Sequence, residues 1–182
     1  VKRKNKENVI VEYSSPNIAK PMHVGHMRST IIGDSIANIH EFLGYRVIRW
    51  NYLGDWGTQF GKLIAAYKKW GKKKIVKKDP IEELNKLYVK FHDELKEHPE
   101  LEQDGQSEFK KLEDGDKGNL KLWKWFKAVS MKEFNRLYNL LGVRFTVEFG
   151  EAFYKKQLGE TIDWLKREGL AKESEGALIV DL

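Results

Sequence analysis

Hydrophobic positions change period several times along this chain, and each change marks an element. Val9 to Tyr13 is a mostly apolar run, which suits a buried parallel strand better than a half-exposed one. Apolar spacing of three and four begins just after His26 and predicts a helix over His26 to Leu43. Ile32, Ile36, Ile39 and Leu43 fall on one face, with Ile31 and Phe42 beside it. Gly44 offers a left-handed stop. Tyr45 to Tyr52 reads as a second strand through Val47, Ile48 and Trp50. Strand, helix and strand over this length make a βαβ unit, hence a parallel pair with a right-handed crossover. Leu53 to Gly57 is a turn, with Asp55 placed to cap the next helix, Thr58 to Trp70, which Gly71 ends.

The pattern then turns helical. Asp79-Pro80-Ile81-Glu82 is a helix start, with Asp as cap, Pro at the first position and Glu at the third. Leu84, Leu87, Tyr88, Phe91 and Leu95 form its stripe and Pro99 ends it. Glu100 to Gly118 is polar, with a short helix expected around Ser107 to Leu112. Leu120 to Leu141 is a long helix capped by Asn119, striped by Phe126, Phe134, Leu137 and Leu141 and stopped by Gly142. Val143, Phe145, Val147 and Phe149 alternate with polar residues, the period of a strand with one buried face. Lys156 to Glu168 is a further helix carrying Leu158, Ile162 and Leu165, and Leu170 to Lys172 with Ala177 to Asp181 read as a hairpin around Ser174-Glu175-Gly176.

At 182 residues the chain can bury one core, or one domain with an insertion. Cysteine is absent, so disulfides and thiolate metal sites are excluded; that fits a reducing compartment, and a cytoplasmic location is expected, with an organelle as the alternative. No apolar run reaches membrane-spanning length, so no membrane partner is expected. A net charge of +6 favours an anionic partner. The lysines from Lys68 to Lys78 fit a solvated linker, with phosphate-backbone contact as the other reading, and a boundary is expected there. Val1 to Glu7 is a lysine-rich lead-in. A start at Val1 without methionine, and an end at Leu182 in an apparent strand, suggest a piece of a longer protein.

The chemistry concentrates in Ser14-Ser15-Pro16-Asn17-Ile18-Ala19-Lys20-Pro21-Met22-His23-Val24-Gly25-His26. The prolines forbid helix through the loop, so the two histidines sit at the mouth of the helix that follows. Free backbone N–H groups and a positive dipole end suit a phosphate chain there. Either ring can donate to charge moving onto a pentavalent phosphorus and its pyrophosphate leaving group. Gly25 removes a side chain, so a flat base could lie against the backbone. A metal site is the poorer option, because no third ligand is evident and the loop is basic.

His23-Val24-Gly25-His26 resembles the His-Ile-Gly-His signature of class I aminoacyl-tRNA synthetases. The longer runs, Val11 to Pro21 and Asn51-Tyr52-Leu53-Gly54-Asp55-Trp56-Gly57-Thr58-Gln59-Phe60-Gly61, resemble the arginyl-tRNA synthetase family in particular. Weaker likeness continues through Gly142 to Phe145, Gly150 to Tyr154 and Gly176 to Leu182. The resemblance implies an α/β fold: the first half of a Rossmann-like nucleotide-binding core over residues 1–78, with a mixed α+β connective insertion, mostly helical, over 79–182. It implies that His23 and His26 are catalytic, that His23, Gly25 and His26 bind ATP, and that Glu12, Ser15, Asn17 and His23 bind arginine. Asn17 would hold the α-amino or carboxylate group and Glu12 would face the guanidinium, whose fork of N–H donors a carboxylate matches and a lysine substrate cannot supply. ATP and Mg²⁺ are the implied cofactors. Arginine, tRNA(Arg) and other proteins of a synthetase complex are the implied partners.

Several neighbours are more ordinary. Lys20 reads equally as a phosphate contact or a solvated lysine, and Asp55, Trp56 and Gln59 as a cap and core packing or as pocket residues. Trp123, Trp125 and Phe126 read as core before they read as a stacking platform for RNA. The second class I signature, resembling Lys-Met-Ser-Lys-Ser, has no match in the chain. The expected function is therefore that of a synthetase catalytic-domain fragment, which activates arginine as part of a whole enzyme and has little or no activity alone. A truncated, non-catalytic paralogue that binds RNA or a partner protein is the alternative. A small nucleotidylyltransferase using the same histidines leaves the arginine-type flanks unexplained.

Overall fold

The computed structural model describes residues 7–72, 79–174 and 177–180. The lysine-rich lead-in up to Lys6, most of the Lys68–Lys78 run, Glu175-Gly176 of the expected hairpin turn and the last two residues lie outside them. Strands β1 (Asn8–Glu12) and β2 (Arg46–Asn51) pair in parallel, with Val9 opposite Val47 and Ile10 opposite Ile48. Helix α1 (Val24–Phe42) connects them, and β3 (Val147–Glu148) adds in parallel to the other side of β2, giving the order β1-β2-β3. The expected α/β architecture is present.

Strand β3 is shorter than the alternation over 143–149 predicts. The Thr146 hydroxyl accepts the Arg49 N–H at 2.8 Å and lies 3.1 Å from the Arg49 carbonyl oxygen. The Thr146 N–H itself bonds the Arg49 carbonyl at 2.9 Å, so the hydroxyl engages the same peptide and takes the Arg49 N–H that a longer ladder would use. Val143 and Phe145 turn into the core around Tyr13.

Helix α1 reverses the face that its isoleucines predict. Ile32, Ile36, Ile39 and Leu43 are all exposed, and Phe42 is 84% exposed. The buried positions are Thr30, Gly33 and Ala37. The cause is close approach to the sheet: a Cβ on Gly33 would lie 2.2 Å from Cβ of Tyr13. Only small residues fit on that side. The close approach also brings Asp34, Asn38 and Glu41 within reach of the buried Arg49 of β2. Ile10, on the opposite face of the sheet, is also bare at 59% exposed. Replacing Ile32 and Ile36 together by glutamate should therefore change the unfolding free energy by only about 0.5 kcal/mol per site. Urea titration checks this; a loss of about 2 kcal/mol or more per site is what a core position would give.

Helices α2 (Thr58–Trp70), α3 (Pro80–Glu94), α4 (Glu100–Glu113) and α5 (Lys117–Leu141) form the second part of the structure. Phe60, Leu63 and Ile64 of α2 share one core with Leu84, Leu112, Phe126, Phe134 and Tyr138, and with Ile18 and Ala19 of the loop after β1. Helix α4 is far longer than the expected turn around 107–112. Its stripe of Leu101, Gly105 and Leu112 is narrow, and the rest is charged. Two glycines explain the close fit: a Cβ on Gly61 would lie 2.2 Å from the Gly105 carbonyl oxygen. The cap of α5 is Asp116, which accepts the Asn119 N–H at 2.8 Å. Asn119 is instead buried and bonds Glu108. Along α5 the buried face runs through Phe126, Ser130, Phe134 and Tyr138, one position off the expected Leu137 and Leu141.

After β3 comes a 3-10 turn (Glu151–Gln157) and α6 (Leu158–Arg167), whose Leu158 and Ile162 remain exposed rather than packing as a stripe. Strands β4 (Ala171–Ser174) and β5 (Ala177–Val180) pair antiparallel, as the hairpin pattern predicts. Among the described residues no helix is long and apolar enough to cross a membrane.

Candidate active site

The chain leaves β1 through a loop that contains no glycine yet takes left-handed geometry at Ser14 (φ 72°), Ser15 (φ 46°) and Ala19 (φ 63°). It lies against the loop after β2. Ile18 N–H bonds the Gly54 carbonyl and Gly54 N–H bonds the Pro16 carbonyl, each at 3.1 Å, forming a parallel bridge between Asn17 and Gly54. A Cβ on Gly54 would come 2.1 Å from Oδ1 of Asn17, so only glycine lets the amide lie there. Both loops follow the carboxyl ends of parallel strands, where open α/β sheets receive ligands.

Glu12 closes β1 and is exposed, and the Ser15 hydroxyl donates to its Oε1 at 2.9 Å. The structure thus brings Glu12 and Ser15 together. That bond restrains one carboxylate oxygen and leaves lone pairs on both for a planar donor.

His23 is the N-cap of α1 and His26 its third residue. The Gly25 N–H donates to Nδ1 of His23 at 3.1 Å, and the His23 N–H donates to Nδ1 of His26 at 3.3 Å. This is a capping box built from two imidazoles. The ring centroids are 3.9 Å apart. Because each Nδ1 accepts, each neutral ring carries its proton on Nε2, the nitrogen that capping leaves unused. Burial, and then the neighbouring His23, push the His26 imidazole below its ordinary range, so the uncharged donor form holds near pH 7. The first turn of α1 holds no acidic residue, so nothing opposes an anion at the positive end of the helix. The space left by Gly25 is shared with the His23 ring, since a Cβ there would lie 2.9 Å from its Cε1.

The neighbours make structural contacts. Asp55 does not cap α2; that position is Gly57, at φ 122°. The Asp55 carboxylate is buried and accepts from Lys127 Nζ at 2.5 Å and Ala152 N–H at 2.9 Å. Trp123 donates to the Asp55 carbonyl at 2.7 Å and packs on Trp56, and Phe126 is buried. Lys20 sits over the Tyr88 ring at 5.0 Å, and Gln59 donates to the Trp56 carbonyl.

Three residues escape a reading by hydrophobic period. Arg49, in the middle of an apolar strand, is 1% exposed, and a lone arginine among Val47, Ile48 and Trp50 is the signal that could have found it. Asn51 and Tyr138 are buried beneath the β1 loop, and neither carries a sequence pattern that points there. Among the described residues no group of three His, Cys, Asp or Glu side chains could hold a metal ion.

The family model described as "tRNA synthetases class I (R), catalytic domain" matches residues 1–182. The chain is 57% identical over 176 residues to arginine–tRNA ligase 1 of Bacillus cereus and 54% identical over 176 residues to arginine–tRNA ligase of Clostridioides difficile. In each case the match covers 97% of this chain and 31% of the relative, so the chain spans about a third of their length. The crystal structure of arginyl-tRNA synthetase from Plasmodium falciparum superposes with a TM-score of 0.76 at 38% identity, over 98% of this chain and 30% of that one. The Thermus thermophilus arginyl-tRNA synthetase, at 24% identity and a TM-score of 0.68 over 98% of this chain and 30% of its own, shares the fold.

Proposed function

Since this chain belongs to the catalytic-domain family of class I arginyl-tRNA synthetases, we propose that it supplies one side of an ATP site and one side of an arginine pocket. The observation that carries the reading is the mutual capping of His23 and His26, which turns both Nε2–H donors free of the helix they cap. A triphosphate at the mouth of α1 receives those donors together with the helix dipole. Gly25, without a side chain, lets the His23 ring lie against the backbone between them, where the nucleotide would meet that ring. Glu12, oriented by Ser15, accepts the guanidinium fork, and Asn17 and His23 meet the α-amino and carboxylate end.

In the reaction an arginine carboxylate oxygen attacks the α-phosphorus of ATP. A new P–O bond forms, the bond to the β,γ-pyrophosphate breaks, and arginyl-adenylate remains. The histidines donate to oxygens that gain charge at the pentavalent stage, and the loop supplies proximity. The arginyl group then passes to tRNA(Arg). Among the described residues the site offers imidazoles and amides and no cluster of three His, Cys, Asp or Glu side chains, so its donor set does not fit a resident Mg²⁺. Mg²⁺ would come with the nucleotide and would supply charge neutralisation to its phosphates, with no ligand from this chain. Within this reading residues 1–78 are the nucleotide-binding half and 79–182 the connective insertion, and the protein works in the cytoplasm.

The test is ATP–pyrophosphate exchange by the full encoded polypeptide that carries this chain. Exchange should depend on arginine and not on lysine, and the 182-residue chain alone should give little or none. Exchange without arginine dependence refutes the reading. Capture of RNA without any exchange favours the truncated paralogue.

A further inference from the structure

The left-handed Ser14–Ser15 corner lacks the glycine that would adopt it freely, so its Cβ atoms crowd the following carbonyls. It persists only if the surroundings impose it. A local bond from the Ser15 N–H to the Tyr13 carbonyl at 3.1 Å contributes, and the rest of what imposes it comes from far along the chain. The Tyr138 hydroxyl of α5 lies 2.7 Å from the Ser14 hydroxyl and accepts from Asn51 Nδ2 at 3.2 Å. Asn51 in turn accepts the Ser15 N–H on Oδ1 at 3.2 Å. Ser14, Asn51 and Tyr138 are each at most 5% exposed. A second tie runs from the Ala19 N–H to the Ser130 hydroxyl of the same helix at 2.9 Å. The corner decides where the Ser15 hydroxyl points, and that hydroxyl holds Glu12.

We propose that Tyr138 is a positioning residue for arginine recognition: through Ser14 and Asn51 it holds the corner that aims Ser15 at Glu12, and so sets arginine affinity without touching arginine. The proposal rests on the reading that Glu12, Ser15 and Asn17 receive the amino acid. Without the hydroxyl, Ser14 and Ser15 relax toward extended geometry and the Glu12 carboxylate loses its restraint. The histidines are held by their own capping box, so the nucleotide contacts are spared. The connective helix thereby shapes the amino-acid pocket from behind.

The test is Tyr138→Phe in the full encoded polypeptide, assayed by ATP–pyrophosphate exchange at a temperature where circular dichroism shows native helix content. KM for arginine should rise about tenfold, matching loss of one buried hydrogen bond. KM for ATP and kcat at saturating arginine should stay within about twofold. Ser14→Gly added to Tyr138→Phe should recover much of the arginine KM, because glycine takes the left-handed corner without a Cβ penalty. An unchanged arginine KM, equal shifts in both KM values, or no recovery in the double variant overturns the proposal. Glu12→Gln separates the two levels. If it leaves arginine dependence intact, the pocket reading fails; if it abolishes arginine dependence while Tyr138→Phe changes nothing, only the positioning role fails.

Discussion

Arg49→Leu should lower the unfolding free energy of the chain by about 3–5 kcal/mol, because it strips a buried cation from a set of acceptors that stay behind. The guanidinium reaches Asp34 at 2.6 Å, Asn38 at 2.7 Å and both oxygens of Glu41 at 2.9 and 3.0 Å, with the Tyr13 hydroxyl at 3.3 Å. All three of its nitrogens are engaged, so lysine, whose donors sit on one nitrogen and cannot reproduce the planar fork, should recover little. The residue pins α1 to β2, and α1 carries the histidines. Urea titration followed by tryptophan fluorescence checks the loss, and a change below about 1 kcal/mol would show that the network is dispensable. The same pair has a pH signature. Hydrogen bonds from Arg49 are the main cause holding the Glu41 carboxyl below its usual range. A carboxyl depressed in the folded state adds stability above its unfolded value near 4.5, and that stability is lost as pH falls through the folded value. Arg49→Leu should flatten this acid limb.

The second large effect falls on chemistry. His23→Asn and His26→Asn, each made in the full encoded polypeptide, should lower kcat for arginine-dependent exchange by about 10²–10³. Asparagine places an acceptor where each Nδ1 sits, so the capping box survives, and it is among the best N-caps. It offers nothing at the position of Nε2. Glutamine does the reverse: it can donate near Nε2 but gives up the cap, so His23→Gln should retain more activity while losing about 1 kcal/mol of stability. Steady-state exchange and thermal melts read the two effects separately. Asparagine variants that keep full activity would show that the Nε2 donors are not used. The depressed His26 imidazole adds a pH expectation of its own. Burial and the nearby His23 disfavour its protonation in the fold, so stability present above about 6.5 is lost as pH drops below that value. His26→Asn should remove that loss.

Much of this site is legible because local chemistry dictates it. The βαβ order, the helix mouth at His23 and the glycine stops follow from period and from proline and glycine placement, and the structure shows all three. Glu12 and Ser15, three positions apart, meet through a local bond. What is not legible depends on partners distant in sequence. The isoleucines of α1 read as a core face, yet the helix rides on the sheet through Gly33 and Ala37. That choice is set by a steric limit at Tyr13 and by the needs of Arg49, and no window on α1 contains either. The polar α4 hides its helix because only a narrow stripe meets α2 across Gly61 and Gly105. Asp55 has the right offset for a cap but is taken by Lys127 and Ala152. Tyr138 is the same kind of case: its hydroxyl matters because of Ser14, 124 positions earlier.

The most direct measurement is a crystal structure of the full encoded polypeptide with arginine and a non-hydrolysable ATP analogue. Phosphate oxygens should lie about 3 Å from Nε2 of both His23 and His26, and the guanidinium should pair with Glu12 beside the Ser15 hydroxyl. A nucleotide seated away from the mouth of α1, with either imidazole turned from the phosphates, would contradict it.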